Sequence, residues 1–497
     1  MLDNIIAAIG LVFTFQSLAF ACFGVIVGFV FGALPGIGGN VAIGLLIPFT
    51  FYLDPVVAIV CLLAIGKGAS FGGSVPAILL NMPGTSQAAF TAIDGYQLTR
   101  QGKSKKALHM ALYASVLGDL LSDVTLLLVA APLAMVALKI GPPEYAAIVF
   151  LALLVIGAMV GSSPVKGLIS AGLGLALGTV GRDLFTNIER FTFGVRQLEG
   201  GVNVVPMLLG LLVFSEVLVQ LRRELLGKGV HADGAMKFDA NSPPLSGREL
   251  RKHLPAILYG GTIGTIVGAI PGLGATVGAF LAYSEAKRTA PADEPVGRGS
   301  LRGIAAAEAG NSAGTGANLI PLVTLGIPGN VEAALVLGAF MIHGLTPGPF
   351  LMQQQGPLLY AIFISLIAAN LLLLLLGFGF LRLARYTLMI NPRILLPIIL
   401  VISTFGTYAA TRQLFDVVVM LVFGLVGYAM RRAGFSPIPM LIAFLLGPIL
   451  EDGIRRSLLM SGGDLLIFFE RPISLAFIAL AMISLFLLFR RMAKARE

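Results

Sequence analysis

Apolar residues fall in long runs along this chain, separated by short polar segments. The runs lie near 5 to 33, 41 to 53, 56 to 66, 107 to 138, 145 to 161, 167 to 181 and 204 to 221. A second series follows near 254 to 286, 319 to 342, 357 to 381, 394 to 407, 414 to 430, 437 to 450 and 472 to 489. A helix needs about 20 mainly apolar residues to cross a hydrocarbon core of about 30 Å. Several runs are shorter, and those cluster around glycine and proline, which suggests interrupted helices. The longest polar stretch, 222 to 253, carries Ser242-Pro243-Pro244 and Gly247 amid mixed charge and reads as a loop between two halves. The pattern predicts an all-α polytopic membrane protein with broken or re-entrant helices and about 11–12 or more membrane segments.

The two series share motifs in register. Gly32-Ala33-Leu34-Pro35-Gly36-Ile37-Gly38 returns 236 positions later as Gly268-Ala269-Ile270-Pro271-Gly272-Leu273-Gly274. Pro76, Pro83-Gly84 and Ala88-Ala89 return at 245 as Pro321, Pro328-Gly329 and Ala333-Ala334. Further matches keep the same order, so a duplication of about 200 residues is predicted. Basic and non-basic loops swap between the halves. Arg100, Lys103, Lys105 and Lys106 follow the second motif of the first half, whereas the counterpart, 341 to 356, carries no charge. The loop around Asp54 has no basic residue, while its counterpart holds Lys287, Arg288, Arg298 and Arg302. Because lysine and arginine in short loops stay cytoplasmic, the halves are expected to be inverted repeats. They span 1–221 and 254–456, with a cytoplasmic linker at 222–253 and an extra helix and basic tail at 457–497.

Composition agrees. The chain is 57% hydrophobic and 12% charged, with a mean hydropathy of +0.92, too few charges to cover a soluble surface. The formal net charge of +9 resides between apolar runs and forms no basic domain, so no nucleic-acid partner is expected. Only Asp3 is charged before Asp54, which argues against a cleaved signal peptide. Cys22 and Cys61 sit in apolar stretches and suggest neither disulfide nor metal site. No phosphate loop, HExxH or GxSxG occurs, and the four histidines are scattered, so neither an enzyme nor a resident metal or cofactor is expected.

Paired Pro-Gly breaks remain as the candidate chemistry. A broken helix leaves backbone groups that hydrocarbon does not tolerate unless a cavity, ion or ligand satisfies them. Helix N-termini at such a break favour a carboxylate, and free carbonyls favour a cation such as sodium. Beside the breaks lie Asn40, Ser70, Ser74, Asn81, Thr85, Ser86 and Gln87 in the first half, and Thr276, Asn311, Ser312, Thr315, Asn318, Thr324 and Asn330 in the second. Among intramembrane charges, Lys67 is a candidate to neutralise a substrate carboxylate or to snorkel to an interface. Asp119 and Asp123, four apart on one helix face, are candidates to share a proton or hold the coupling cation, and Asp123 falls opposite Asn370 in the repeat. Glu216, Glu308 and Glu332 rank lower, near segment ends.

Gly32 to Asn40, the run Ala77-Ile78-Leu79-Leu80-Asn81-Met82-Pro83-Gly84-Thr85, Asp94-Gly95-Tyr96 and Thr324-Leu325-Gly326-Ile327-Pro328-Gly329-Asn330 resemble the large membrane subunit of tripartite tricarboxylate transporters, the TctA family. The resemblance covers essentially the whole chain. It implies a multi-pass protein of the bacterial inner membrane that works with a small membrane subunit and a periplasmic solute-binding protein. Such a system imports citrate-like tri- or dicarboxylates by symport with sodium or protons. A gradient-independent channel and, further off, a membrane enzyme are the alternatives. The family's motifs fall on Pro35, Gly36, Gly38 and Asn40 and on Asn81, Pro83, Gly84 and Thr85. The repeat mates Pro271, Gly272, Gly274, Thr276, Pro328, Gly329 and Asn330 depart in part, since Gly326 stands opposite Asn81 and Thr276 opposite Asn40.

Overall fold

The computed structural model describes residues 2–34, 36–161, 163–183, 185–227, 242–387, 390 and 392–494. The first half begins with α1 (Leu2–Val12) and α2 (Phe15–Ala33), where a single run was expected. Thr14 divides them, its hydroxyl accepting a hydrogen bond from Ser17 N at 3.1 Å as the α2 cap. After the first break come α3 (Gly38–Thr50) and α4 (Pro55–Leu80). The short run at 56 to 66 is therefore no half-helix. It continues through the small-residue stretch as a 26-residue helix with Pro55 at its first turn, and its apolar window is wholly buried. The second break leads to α5 (Ala88–Arg100) and α6 (Ser104–Ala137). At 34 residues, α6 is about 51 Å long and exceeds the hydrocarbon core. Then follow α7 (Pro142–Met159), α8 (Pro164–Gly178), and a hairpin of β1 (Gly181–Arg182) paired antiparallel with β2 (Glu189–Arg190). A continuous helix closes the half as α9 (Val204–Leu208), a π-turn segment Leu209–Phe214, and α10 (Ser215–Leu225).

A capping box of Ser246 and Glu249 starts the second half at α11 (Gly247–Gly268), which a break separates from α12 (Gly274–Arg288). Next are α13 (Leu301–Ala317), α14 (Leu319–Leu325), a further break, and α15 (Val331–Ile342). The chain ends with α16 (Pro349–Gln354), α17 (Gly356–Thr387), α18 (Pro392–Thr411), α19 (Leu414–Arg432), α20 (Pro437–Met460), α21 (Ile467–Glu470) and α22 (Pro472–Lys494). Among the described residues nine helices are long and apolar enough to cross a membrane, and four shorter apolar ones accompany them. The protein is an all-α polytopic membrane protein. Of the linker expected at 222–253, residues 228–241 lie outside the described ones.

Glycine stripes hold each half together. A Cβ on Gly24, Gly28 or Gly32 of α2 would collide with the carbonyl oxygens of Cys61, Ile65 or Ala69 on α4. On α11, Gly260, Gly264 and Gly268 stand in the same relation to Ala306, Gly310 and Gly314 of α13. Every one of these residues lies at the repeat offsets of 236 and 245, so the duplication extends to backbone contacts. Without a hydrophobic drive between helices in lipid, such close approach supplies the packing energy. The repeat mates α6 and α17 also meet. Asp123 faces Asn370, while His109 lies against Phe378 with ring centroids 5.3 Å apart, so these two helices run antiparallel. Polar contacts also join the two series: Lys106 bonds Glu249 at 2.5 Å, Lys166 donates to the Ala433 carbonyl, and Arg190 bonds Glu451 at 2.7 Å.

Candidate functional site

Four breaks interrupt the buried helices, and their backbone repeats between halves. Gly36 and Gly38 hold φ of +87° and +71°; Gly272 and Gly274 hold +88° and +66°. Pro35 lies outside the described residues. At the end of α4, Asn81 adopts the left-handed region (φ 57°), as does Gly326 (φ +68°) at the end of α14. The Met82 N–H reaches back to the Pro76 carbonyl, as that of Ile327 does to Pro321, both at 3.2 Å. This is a helix-ending motif that needs a residue tolerant of positive φ, and asparagine and glycine are the two that tolerate it best. The departure of Gly326 from Asn81 thus preserves backbone geometry. Asn81 is exposed and does its work as a cap.

The two first-half breaks enclose a cavity of about 180 Å³. Gly38, Gly39 and Asn40 line it from the start of α3, and Thr85, Ser86 and Gln87 from the start of α5. Neither helix carries a side-chain cap, and the positive end of each helix dipole faces the cavity; at the start of α5 the Ala89 and Phe90 N–H groups bend back to the Ser86 and Gln87 carbonyls at 3.4 Å. Gly66 and Ser70 of α4 form the floor, Gly84 adjoins them, and Thr315 and Glu332 enter from the second half. Ser70 and Thr315 are repeat mates, as are Gln87 and Glu332, so the cavity straddles the junction of the halves. Ser70 Oγ and Thr85 Oγ1 are buried without a hydrogen-bond partner. Thr276 reaches the rim, its hydroxyl 3.1 Å from that of Ser86. Among the described residues no lysine, arginine or histidine lines the cavity. A second carboxylate about 4 Å from Glu332 would meet roughly 4 kcal/mol of repulsion at an effective dielectric constant of about 20.

The second-half breaks are closed on themselves. Gly272 N donates to the Gly329 carbonyl at 2.9 Å, and a Cβ on Gly329 would fall 2.7 Å from Asn318 Oδ1. The Asn330 side chain caps α15 by accepting from Ala333 N at 2.8 Å. Pro271 and Gly274 flank Gly272 in its break, and Pro328 precedes Gly329. The Asn318 amide is buried and unpartnered.

The intramembrane charges form a separate cluster. The Lys67 ammonium lies 2.9 Å from Asp123 Oδ2, 3.3 Å from Asp119 Oδ1 and 3.2 Å from Asn370 Oδ1, and Asn370 Nδ2 donates to Asp123 at 2.6 Å. Lys67 is 2% exposed, so it does not snorkel; its ammonium donates to Asp123 and Asn370 and pairs with the charge of Asp119. Asp123 and Asn370 are repeat mates in direct contact. Ser74 turns away from the cavity to Glu308, whose carboxylate accepts from Ser74 at 2.5 Å, from Ser115 at 3.0 Å and from Thr91. Three groups escaped the sequence reading. Thr91 and Ser115 are single hydroxyls without a motif, and Gln220 of α10 fixes the first break by donating to the Gly36 carbonyl at 2.7 Å. The glycine stripes, by contrast, were readable as glycines four apart that return at the repeat offset.

Helix breaks around a polar cavity, in a chain with several helices long and apolar enough to cross a bilayer, belong to a multi-pass membrane protein. The chain matches the tripartite tricarboxylate transporter TctA family over residues 18–442 and belongs to it. Members of this family are transporter components and not enzymes. The chain is 38% identical to a 52.8 kDa protein in the TAR-I ttuC' 3' region of Agrobacterium vitis over 462 residues, 93% of this chain and 91% of that one. It is 36% identical to a protein in the TAR-II ttuC' 3' region of the same organism over 224 residues, 45% of this chain and 93% of that one. No solved structure matches the chain.

Proposed function

We propose that this large subunit imports a tri- or dicarboxylate across the bacterial inner membrane, together with a small membrane subunit and a periplasmic solute-binding protein. A sodium or proton gradient drives it. The carrying observation is the cavity, where the uncapped starts of α3 and α5 converge with the unpartnered hydroxyls of Ser70 and Thr85. Backbone N–H groups and helix dipoles suit a carboxylate that has no arginine or lysine to meet. A volume of about 180 Å³ is small beside the about 300–1,000 Å³ of drug-sized ligand sites, which suits a compact organic acid.

Two inverted repeats, 1–221 and 254–456, then work by alternating access, the broken elements moving against the remaining helices. The antiparallel run of α6 and α17 favours inversion, since mates related by an axis in the membrane plane point opposite ways. The linker 222–253 and the basic tail that follows the extra C-terminal helix lie in the cytoplasm. The test is uptake of a carboxylate retained by the cognate binding protein into proteoliposomes holding both membrane subunits. Uptake is expected to require the binding protein and a gradient, and to fall at least tenfold in S70A/T85A with normal assembly. Uptake that persists without either requirement would make the protein a channel.

A further inference from the structure

The cavity that the reading above gives to a carboxylate already holds a carboxyl group of its own. Glu332 stands in the first turn of α15, where the helix dipole favours an ionised carboxyl. The charged groups acting on it are Asp119 of α6 and Lys67 of α4. Lys67 offers little relief, because its ammonium is engaged by Asp119 and Asp123. Of the other elements against α15, α3, α9 and α14 carry no charged residue, and those of α20 are confined to 451–456. An ionised Glu332 would repel an entering carboxylate, so the two share the cavity only when a sodium ion or a proton sits on Glu332.

The cavity is furnished for such a cation. Beside Glu332 it presents Ser70 Oγ, 4% exposed by residue and unpartnered, and Thr85 Oγ1, hard oxygens that suit sodium. Gly66 opens the space that Glu332 occupies, for a Cβ there would collide with Glu332 Oε1. The repeat mate across the cavity is Gln87, of the same shape without the charge. The duplication has thus put a carboxylate on one side of the cavity only.

We propose that Glu332 is the coupling-ion site: it takes up the monovalent cation, sodium or a proton, whose arrival neutralises the cavity and admits the carboxylate. This rests on the transport reading. Linkage then requires that the cation tighten carboxylate binding and the carboxylate tighten cation binding by the same factor, of order 5–150-fold for such couplings.

The probes are radioactive sodium and dicyclohexylcarbodiimide, which modifies protonated carboxyls in apolar surroundings. Both are applied to the full-length complex in proteoliposomes, with E332Q, which places on the second half the residue its mate already has, and G66A, which displaces the carboxylate without removing it. If the ion is sodium, the wild type binds it saturably, sodium protects Glu332 from the carbodiimide, and both variants bind at least tenfold more weakly. If it is a proton, sodium binding is absent, modification of Glu332 rises with acidity, and the acid dependence of uptake disappears in E332Q. Unchanged cation dependence in E332Q overturns the proposal, as does a wild type showing neither sodium protection nor acid-dependent modification at Glu332. Modification of the wild type decides the matter even where E332Q fails to assemble. Cation binding at Glu332 without any carboxylate uptake would sink the transport reading and leave the ion site standing.

Discussion

Replacing Lys67 with methionine separates a lysine that serves the substrate from one that serves the scaffold. Lys67 is the cation of a cluster that holds two carboxylates, Asp119 and Asp123, all three within 3% exposure. Its removal leaves two buried negative charges with only Asn370 to donate to one of them. Breaking a buried ion pair from one side costs about 3–5 kcal/mol, a large part of a total stability of about 5–15 kcal/mol. Asp119→Asn is expected to behave differently. Neither Asp119 oxygen has a hydrogen-bond partner, and its loss leaves Lys67 paired one to one with Asp123, so a cost of about 1 kcal/mol or less is expected. Asp123→Asn falls between, because it gives up both the 2.9 Å contact with Lys67 and the 2.6 Å bond from Asn370. The triple variant K67M/D119N/D123N removes every charge and is expected to recover much of the loss, as replacing a whole buried pair can be near neutral. Thermal melting of detergent-solubilised protein, followed by size exclusion, ranks the four. The reasoning is refuted if K67M melts with the wild type while uptake collapses, for then Lys67 acts on the substrate. It is refuted equally if D119N is as damaging as K67M.

Four further outcomes are expected. Asn81→Ala should cost about 1–2 kcal/mol of stability for a Cβ held at positive φ, while Asn81→Gly, the residue of its repeat mate, should be nearly silent in the same melts. Gly28→Ala and Gly264→Ala should each cost about 1–3 kcal/mol or more, because the new methyl meets a carbonyl oxygen of the facing helix; Gly172→Ala, with open space around it, should not destabilise. Partial burial disfavours ionisation of Glu294, yet hydrogen bonds from His253 and Lys252 hold it down to about 2, below its ordinary 4.5. A depressed carboxyl contributes stability above the unfolded value and loses it as pH falls. The melting difference between wild type and E294Q should therefore be steady above about pH 5 and close between about 4.5 and 2. In a background lacking Cys22 and Cys61, Lys103→Cys and Gln354→Cys should react with impermeant thiol reagents from opposite faces of the membrane; reaction from one face would end the inverted arrangement.

What could be read from the residues divides by the range of the physics involved. Helix breaks are local, set by Pro-Gly pairs and positive φ, so all four were visible, and so was the duplication that relates them. Boundaries failed where a neighbour overrode composition: α4 runs unbroken through its glycines because α2 covers them. Lys67, Asp119 and Asp123 stood out as intramembrane charges, but their pairing spans more than fifty residues of chain. A charge balance would have reached it, since an unpaired lysine in hydrocarbon demands an acid on a facing helix.

The two halves differ in charge where repeat mates meet. Direct contact between repeat mates Asp123 and Asn370, and the shared cavity of Ser70 with Thr315 and Gln87 with Glu332, put these residues at the junction of two like structures. At both places one mate is an acid and the other its amide. A symmetric pair of acids would set like charges side by side, the costlier for being buried. A symmetric pair of amides would take from Lys67 its nearest carboxylate, at 2.9 Å, and from the cavity the carboxyl proposed to take up the cation. The duplicated scaffold supplies like shapes at both places, and exchanges of acid for amide, one in each half, decide which mate carries the carboxyl.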